Sequence, residues 1–177
     1  MLKKQRQISS AKAAGGIILF FVIGLAIGLY FSPPALREAV FAPGISSILP
    51  ETGYKTANVS TEGNRVFLAS GCRALSFEVT NDQALSISYG LGKRIFSRPL
   101  THDVLKDILD NYNISVESVA IDTFEEEIYK AKIILRQGDK VLNLDSRPSD
   151  AIALAARFGV GVKIKEEMLE TRGTNIC

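Results

Sequence analysis

Residues 141–156 read VLNLDSRPSDAIALAA, and this stretch predicts a strand, a tight connection and a helix in succession. The apolar run Val141–Leu144 is typical of a strand that leads into the turn. Pro148 is tolerated only in the first turn of a helix, because it has no N–H to donate. Residues 145–150 are therefore expected at a helix N-terminus, where free N–H groups and the helix dipole favour anions.

A second helix start is predicted upstream, where residues 98–105 read RPLTHDVL. Thr101 is the expected N-cap, because threonine is among the preferred capping residues. The next position holds His102, the only histidine of the chain. The helical spacing of the apolar residues predicts a buried face made of Val104, Leu105, Ile108, Leu109 and Tyr112.

Further elements follow on both sides of these two motifs. A capping box at Thr80–Gln83 begins a helix that glycines end near residue 92, and a last helical stretch covers residues 166–171. Strands are predicted at residues 65–69, 74–79, 115–121, 128–135, 140–145 and 160–164. Because the strands come in hairpin-joined groups, we expect an α+β fold, with an antiparallel or mixed sheet and helices segregated to one side.

The N-terminal part of the chain predicts a membrane anchor. Residues 13–31 contain no charged side chain and are long enough to span a bilayer. Residues 1–12 are basic, which places them in the cytoplasm and the main domain outside, as expected for a single-pass membrane protein. Residues 32–53 read as a Pro- and Gly-containing linker, and residues 54–177 as the folded domain. A cleaved signal peptide is the alternative, although residues 31–35 make a poor cleavage site.

The distribution of charge argues against a generic attraction to nucleic acid. Four of the 21 basic residues precede the apolar segment and all 19 acidic residues follow it, so the part after the segment carries 17 positive and 19 negative charges. Nonspecific binding depends on basic groups that displace counterions from phosphates. Any binding must therefore use a local patch, for which Lys93, Arg94 and Arg98 are the candidates; an ordinary solvated loop is the alternative.

Two cysteines, Cys72 and Cys177, lie far apart in the sequence. Neither has the spacing of a metal-ligand pair, so a structural zinc site is not expected. An external location would allow them to form a disulfide, and a free terminal cysteine is the alternative.

The two motifs resemble the signature stretches of the bifunctional nuclease domain family, and they occur in the same order as in that family. The resemblance extends from about residue 55 to residue 171 and departs from the family between residues 79 and 92, where Thr80–Ala84 replaces a Gly-Glu-Pro-rich helix start. It implies a small α+β protein that acts on DNA and RNA. Related domains are thought to self-associate, so a homodimer or higher oligomer is expected as well.

Hydrolysis of a phosphodiester requires a positioned water, neutralisation of the phosphoryl charge and often a divalent metal. His102 is the predicted general base or acid, and Asp145 and Asp150 are predicted to share the catalytic role. Carboxylates are the ligands that Mg²⁺ or Mn²⁺ prefers. We therefore predict a metal site formed by Asp103, Asp145 and Asp150.

Four further side chains are predicted to contact the nucleic-acid substrate. Arg98 and Arg147 would clamp phosphate, since a guanidinium pairs well with phosphate oxygens. Thr101 and Ser149 would add hydroxyl groups at the two helix starts. Each of these polar residues has an ordinary alternative role, as a helix cap or as a member of a surface ion pair.

The catalytic hypothesis depends on the two motifs lying together. If they lie on opposite sides of the fold, the chain is better described as a non-catalytic, membrane-tethered interaction module. A third possibility is a domain that oligomerises through a sheet edge or through the small-residue helix Ala151–Ala156.

Overall fold

The computed structural model describes residues 52–177. Eight strands make one sheet: β1 Tyr54–Glu62, β2 Arg65–Ser70, β3 Arg73–Glu78, β4 Ser115–Glu125, β5 Ile128–Gln137, β6 Lys140–Ser146, β7 Val162–Lys165 and β8 Thr174–Asn175. Four helices accompany them: α1 Asn81–Leu91, α2 Thr101–Asn111, α3 Pro148–Phe158 and α4 Glu166–Arg172.

The strand order is β6-β5-β4-β7-β1-β2-β3-β8. Every neighbouring pair is antiparallel except β4 and β7, which run parallel. Strand β7 therefore joins an antiparallel group made of β4, β5 and β6 to a second antiparallel group that begins with β1. The predicted α+β class with a mixed sheet is confirmed.

Helix α3 is the central helix of the core. It packs against α1, α2, β4 and β5, and its residues Ala151–Ala155 are all at most 2% exposed. Small side chains let the helix approach the sheet closely, where residues such as Ile121 and Ile133 complete the core. Because this helix is enclosed, the prediction that its alanines form a surface for self-association is wrong.

The starts of the first two helices differ in how well the sequence predicts them. Helix α1 begins with the predicted capping box, in which Thr80 and Gln83 each bond the other's backbone N–H. Helix α2 begins one residue earlier than predicted, with Leu100 as the N-cap. Thr101 is not the cap but the first residue of the helix, and the carboxylate of Asp103 accepts the Leu100 N–H at 2.8 Å.

The prediction of which α2 residues are buried is also wrong, except at Leu109. Leu109 is 5% exposed, whereas Val104, Ile108 and Tyr112 are 47%, 48% and 65% exposed and Leu105 is 37% exposed. The helix packs on the domain through a partly polar face that includes His102 and Asp103 instead. Its apolar stripe therefore lies on the surface of the described domain.

The C-terminal end of the chain is fastened to the sheet. Cys72 and Cys177 form a disulfide across 105 residues. Next to it, β8 pairs with β3, so Thr174 lies opposite Ala74. Covalent closure and strand pairing together hold the last residues on the sheet.

The predicted basic segment, membrane span and most of the linker lie outside the described residues. Within residues 52–177, none of the helices has both the length and the apolar character that crossing a membrane requires.

Candidate active site

The two sequence motifs meet at the N-terminal ends of α2 and α3. Nε2 of His102 lies 3.7 Å from Oδ1 of Asp150, an interaction between residues on different helices. The His102 side chain is 16% exposed and that of Asp150 is 29% exposed, so both are half-enclosed and open to solvent on one side. The helix starts predicted from the sequence therefore form one cluster.

The other nitrogen of the imidazole faces α1. Nδ1 of His102 lies 2.9 Å from Oγ of Ser86, a buried serine in the middle of that helix. This hydrogen bond orients the imidazole ring. Ser86 belongs to the segment where the sequence departs from the family pattern, so sequence reasoning does not find it.

The guanidinium of Arg147 lies on the solvent-exposed side of the cluster. Arg147 donates from Nε to Oδ2 of Asp150 at 2.7 Å and from Nη2 to Oδ1 at 3.2 Å. Its side chain is 70% exposed, so the face of the guanidinium that does not bind Asp150 is open to a ligand. Arg147 is also the N-cap of α3, at the positive end of the helix dipole.

The imidazole is held in its neutral form. Burial lowers the pKa of His102 below 6.5, and the positive charges of Arg157 and Arg147 act in the same direction. The carboxylates of Asp150 and Asp103 oppose this effect without cancelling it. A neutral imidazole near pH 7 can accept a proton, as a general base must.

Behind the histidine lies a buried ion pair. Nε of Arg157 donates to Oδ1 of Asp103 at 2.6 Å, and the side chains are 4% and 12% exposed. Burial acts to raise the pKa of Asp103, but the hydrogen bonds from Arg157 and from the Leu100 N–H lower it below its usual value. Asp103 is therefore an ionised carboxylate whose oxygens both accept bonds from the protein.

Arg157 also binds two carbonyl groups, which explains its burial. Its Nη1 donates to the carbonyl oxygens of Ser86 and Ala153, at 3.0 and 2.9 Å. It thus connects α1, α2 and α3 directly behind His102. The sequence holds one signal for this role, since Arg157 is a charged residue in the last turn of a helix made almost wholly of small and apolar residues.

Asp145 does not join the cluster. It lies opposite Lys132 in the pairing of β5 and β6, and directly paired residues project to the same face of a sheet. The neighbours of Lys132 along β5, Ala131 and Ile133, point into the core that α3 covers. Asp145 therefore faces the opposite side of the sheet, where Lys132 forms an ion pair with Asp122.

The three predicted metal ligands are consequently not arranged as a site. Asp145 is on the other face, Asp103 is bonded to Arg157, and Asp150 is bonded to Arg147. Within residues 52–177, no group of three or more His, Cys, Asp or Glu side chains has the geometry to hold a metal ion. These donors do not fit a resident Mg²⁺ or Mn²⁺ in this arrangement, and the participation of a metal stays a prediction.

The remaining predicted substrate-binding residues differ in how exposed they are. Thr101 is exposed in the first turn of α2, one residue from His102. Ser149 is 4% exposed, in the first turn of α3, and belongs to the packed interior. Arg98 is exposed in the connection between α1 and α2, just before Pro99.

The sequence of the chain is similar to those of known proteins. A family model described as bifunctional nuclease domain matches residues 67–176, which contain every residue of the cluster. An uncharacterized protein of Mycobacterium tuberculosis, found in the strains CDC 1551 / Oshkosh and ATCC 25618 / H37Rv, is 30% identical over 105 residues. The aligned part is 59% of this chain and 62% of the mycobacterial protein.

A plant relative carries a functional name. The protein Bifunctional nuclease 2 of Arabidopsis thaliana is 32% identical over 83 residues, which are 45% of this chain and 25% of that protein. The chain therefore spans less than two thirds of the length of these relatives. The match to the family model confirms the resemblance read from the two motifs.

Proposed function

The chain belongs to the bifunctional nuclease domain family, and on this premise we propose that it hydrolyses phosphodiester bonds of DNA, RNA or both at the cluster around His102. One observation carries the proposal. A largely enclosed, neutral histidine lies between a buried serine and an aspartate, with an exposed arginine bound to the same aspartate. This arrangement places a proton acceptor beside a phosphate-binding group.

In the proposed reaction, His102 activates the attacking water. In the proposed tautomer, Nδ1–H donates to Oγ of Ser86, and the lone pair of Nε2 is free to accept a proton from the water. The carboxylate of Asp150, 3.7 Å from Nε2, stabilises the imidazolium that results. The histidine then returns the proton to the leaving oxygen.

Arg147 binds the phosphoryl group. Its guanidinium is always charged and matches the geometry of two phosphate oxygens. Because Asp150 occupies one edge and most of the side chain is exposed, the remaining N–H groups are available to the substrate. Negative charge that develops on the phosphoryl oxygens in the transition state is stabilised by this contact.

Asp145 takes part in no step of the proposed reaction, because it lies on the opposite face of the sheet. A divalent cation remains part of the proposal only as an ion that would neutralise phosphate charge, and no step is assigned to it. Chelation tests its participation, since a metal-dependent enzyme loses its Lewis acid when the metal is removed.

We further propose that the domain acts outside the cell, held by its apolar N-terminal segment. The support is twofold: residues 13–31 contain no charged side chain, and Cys72 and Cys177 form a disulfide. Disulfides form and persist mainly in oxidising compartments. The whole protein is thus proposed to be a single-pass membrane nuclease with a cytoplasmic N-terminus.

The test is cleavage of labelled single- and double-stranded DNA and RNA by the full chain, with and without EDTA. His102→Ala is expected to lower kcat/KM by about 10²–10⁴-fold, the usual contribution of a general base. Arg147→Ala is expected to lower it by about 10-fold or more, as for a lost charge-assisted hydrogen bond. Asp145→Asn is the matched control and should cleave at the wild-type rate. Equal rates for His102→Ala and the wild type would refute the proposal.

A non-catalytic interaction module is the second candidate, and one observation favours it. Strand β6 lies at an edge of the sheet with Leu142 54% exposed, and α2 exposes Ile108 and Tyr112. Open strand edges and exposed apolar residues are features of association surfaces. The proposed partner is a second copy of the chain, and light scattering of the purified full chain distinguishes a monomer from an oligomer.

A further inference from the structure

A pocket of about 430 Å³ lies beside the His102 cluster. It is formed by the C-terminal half of α1, the connection to α2, the first turns of α2 and the end of α3. Its size falls within the range of about 300–1,000 Å³ that is typical of small-molecule sites. The pocket shares Asp103 and Arg157 with the network behind the histidine.

Positive charge predominates among the groups around the pocket that are free to bind a ligand. Lys93 and Arg94 lie on its rim, and within residues 52–177 no carboxylate lies within ion-pair distance of either. Of the two carboxylates in the lining, Asp103 is paired with Arg157, and Asp107 is the one without an ion pair among the described residues. In the wall, Nη2 of Arg157 is buried and has no acceptor among the described residues. The charges favour an anionic ligand.

Flat groups line the same pocket. The guanidinium of Arg94 lies 4.9 Å from the centre of the Tyr89 ring, and Nζ of Lys106 lies 5.0 Å from the centre of the Phe158 ring. Arg94 is exposed, so the outer face of its guanidinium is open for a second flat group to stack. Nucleobases stack on aromatic rings and on guanidinium planes in this way.

We propose that this pocket binds one unpaired nucleotide of a single-stranded nucleic acid. The base stacks on the outer face of the Arg94 guanidinium, whose inner face packs on the Tyr89 ring, and the phosphate binds Lys93. A base inside a duplex is stacked and paired, so it cannot enter a pocket of this kind without being unpaired first. The inference rests on the proposed nuclease function, and it identifies single strands as the favoured class of substrate.

The position of the pocket explains how such binding would serve the cluster. Ser86 accepts a hydrogen bond from Arg157 through its carbonyl and contacts His102 through its hydroxyl. The pocket wall and the histidine are therefore two sides of one network. A strand held by one base in the pocket would continue along α2 toward His102 and Arg147.

The test measures binding of the full chain carrying His102→Ala, which keeps the strands intact, by fluorescence anisotropy. The probes are a labelled oligothymidylate of about 12 nucleotides, an abasic strand of the same length and a duplex. Oligothymidylate is expected to bind about 10-fold more tightly than the abasic strand, because one stacked base contributes about 1–3 kcal/mol. The duplex is expected to bind more weakly than oligothymidylate as well.

Variants then assign the effect to the pocket. Arg94→Gln is expected to weaken binding of oligothymidylate about 10-fold, because the stack and one phosphate-attracting charge are lost. Arg94→Lys keeps the charge and should lose the discrimination between the thymidylate and abasic strands. Lys140→Gln removes the same charge from the exposed start of β6 and should change binding by less than about two-fold.

Equal binding of the thymidylate and abasic strands would overturn the inference, and so would equal losses in Arg94→Gln and Lys140→Gln. The two proposals can fail separately. If the wild-type chain cleaves nucleic acid but shows no preference for strands with bases, the pocket proposal alone is wrong. If it discriminates between the strands but His102→Ala does not change cleavage, the assignment of the catalytic cluster is wrong and the pocket remains supported.

Discussion

Arg157, in the last turn of α3, donates to Asp103, in the first turn of α2, across 54 residues of sequence. The pair is enclosed by the three helices, and Arg157 adds bonds to carbonyl groups of α1 and of its own helix. This ion pair fixes the position of the first turn of α2 relative to α3. The distance between His102 and Asp150 therefore depends on a contact that neither of them makes.

The first prediction concerns this ion pair. Arg157→Ala is expected to lower the free energy of unfolding by about 3–5 kcal/mol, because it leaves a buried carboxylate without its partner. Urea denaturation of the full chain, followed by circular dichroism, measures the loss. Arg147→Ala breaks an exposed ion pair with Asp150 and is the matched control, expected to leave the midpoint unchanged. Equal midpoints for both variants would contradict the structural role of Arg157.

The second prediction concerns pH. Because folding lowers the pKa of His102, the unfolded chain binds a proton at this residue more readily than the folded one. The stability associated with the neutral imidazole is present above the unfolded value of about 6.5 and is lost as pH falls toward the folded value. The unfolding free energy should therefore decrease more between about pH 7.5 and pH 5 in the wild type than in His102→Gln. Parallel curves for the two proteins would show that the histidine is not held neutral.

The third prediction concerns Gly90, a buried residue within α1. Alanine favours helix over glycine by about 1 kcal/mol, so propensity alone predicts that Gly90→Ala is stabilising. The structure predicts the opposite sign, since an added Cβ would lie 2.9 Å from Nη1 of Arg157 and 3.1 Å from Cβ of Ala156. We expect a loss of about 1–3 kcal/mol in urea denaturation, as for other overpacked sites. Ser88→Ala in the same helix is the control, and an increase in stability for Gly90→Ala would be the contrary result.

The fourth prediction concerns the disulfide. Removing it with Cys72→Ser and Cys177→Ser together is expected to lower the unfolding free energy by about 2–4 kcal/mol, because the unfolded chain is no longer closed on itself. Reduction of the wild type with dithiothreitol should lower its stability to that of the double variant. The same treatment should not change the double variant. A wild type insensitive to reduction would indicate that the cysteines do not pair in the protein.

Local signals in the sequence predict much of this fold. The capping box of α1, the proline in the first turn of α3 and the glycine after that helix all depend on neighbours within a few residues. The hairpin around Gly138, which joins β5 to β6, is likewise local. These elements are readable because turn and cap chemistry acts through the nearest backbone groups.

Contacts between distant segments are the part that sequence reasoning does not reach. Strand β1 has few buried residues and pairs with β7, which comes late in the chain, so its sequence alone does not reveal it. Helix α2 has an apolar stripe, yet it docks through His102 and Asp103 because their partners, Asp150 and Arg157, come from another helix.

In the candidate site, too, the sequence does not predict contacts between distant segments. The sequence and the family resemblance predict that the two motifs lie together. They also predict that His102, Arg147 and Asp150 belong to one site. The side of the sheet to which Asp145 projects depends on the register of β6, which the sequence does not specify. Arg157 and Ser86 enter only through packing between helices, where no short motif marks them.

Strand β7 has a consequence for when the sheet can be completed during synthesis of the chain. It is made after nearly all other elements, yet it alone joins β4 to β1 and so unites the two antiparallel groups of strands. A chain still emerging from the ribosome already carries its histidine but cannot close the sheet that supports the helices. Closure of the sheet is therefore among the last events in the folding of a newly made chain.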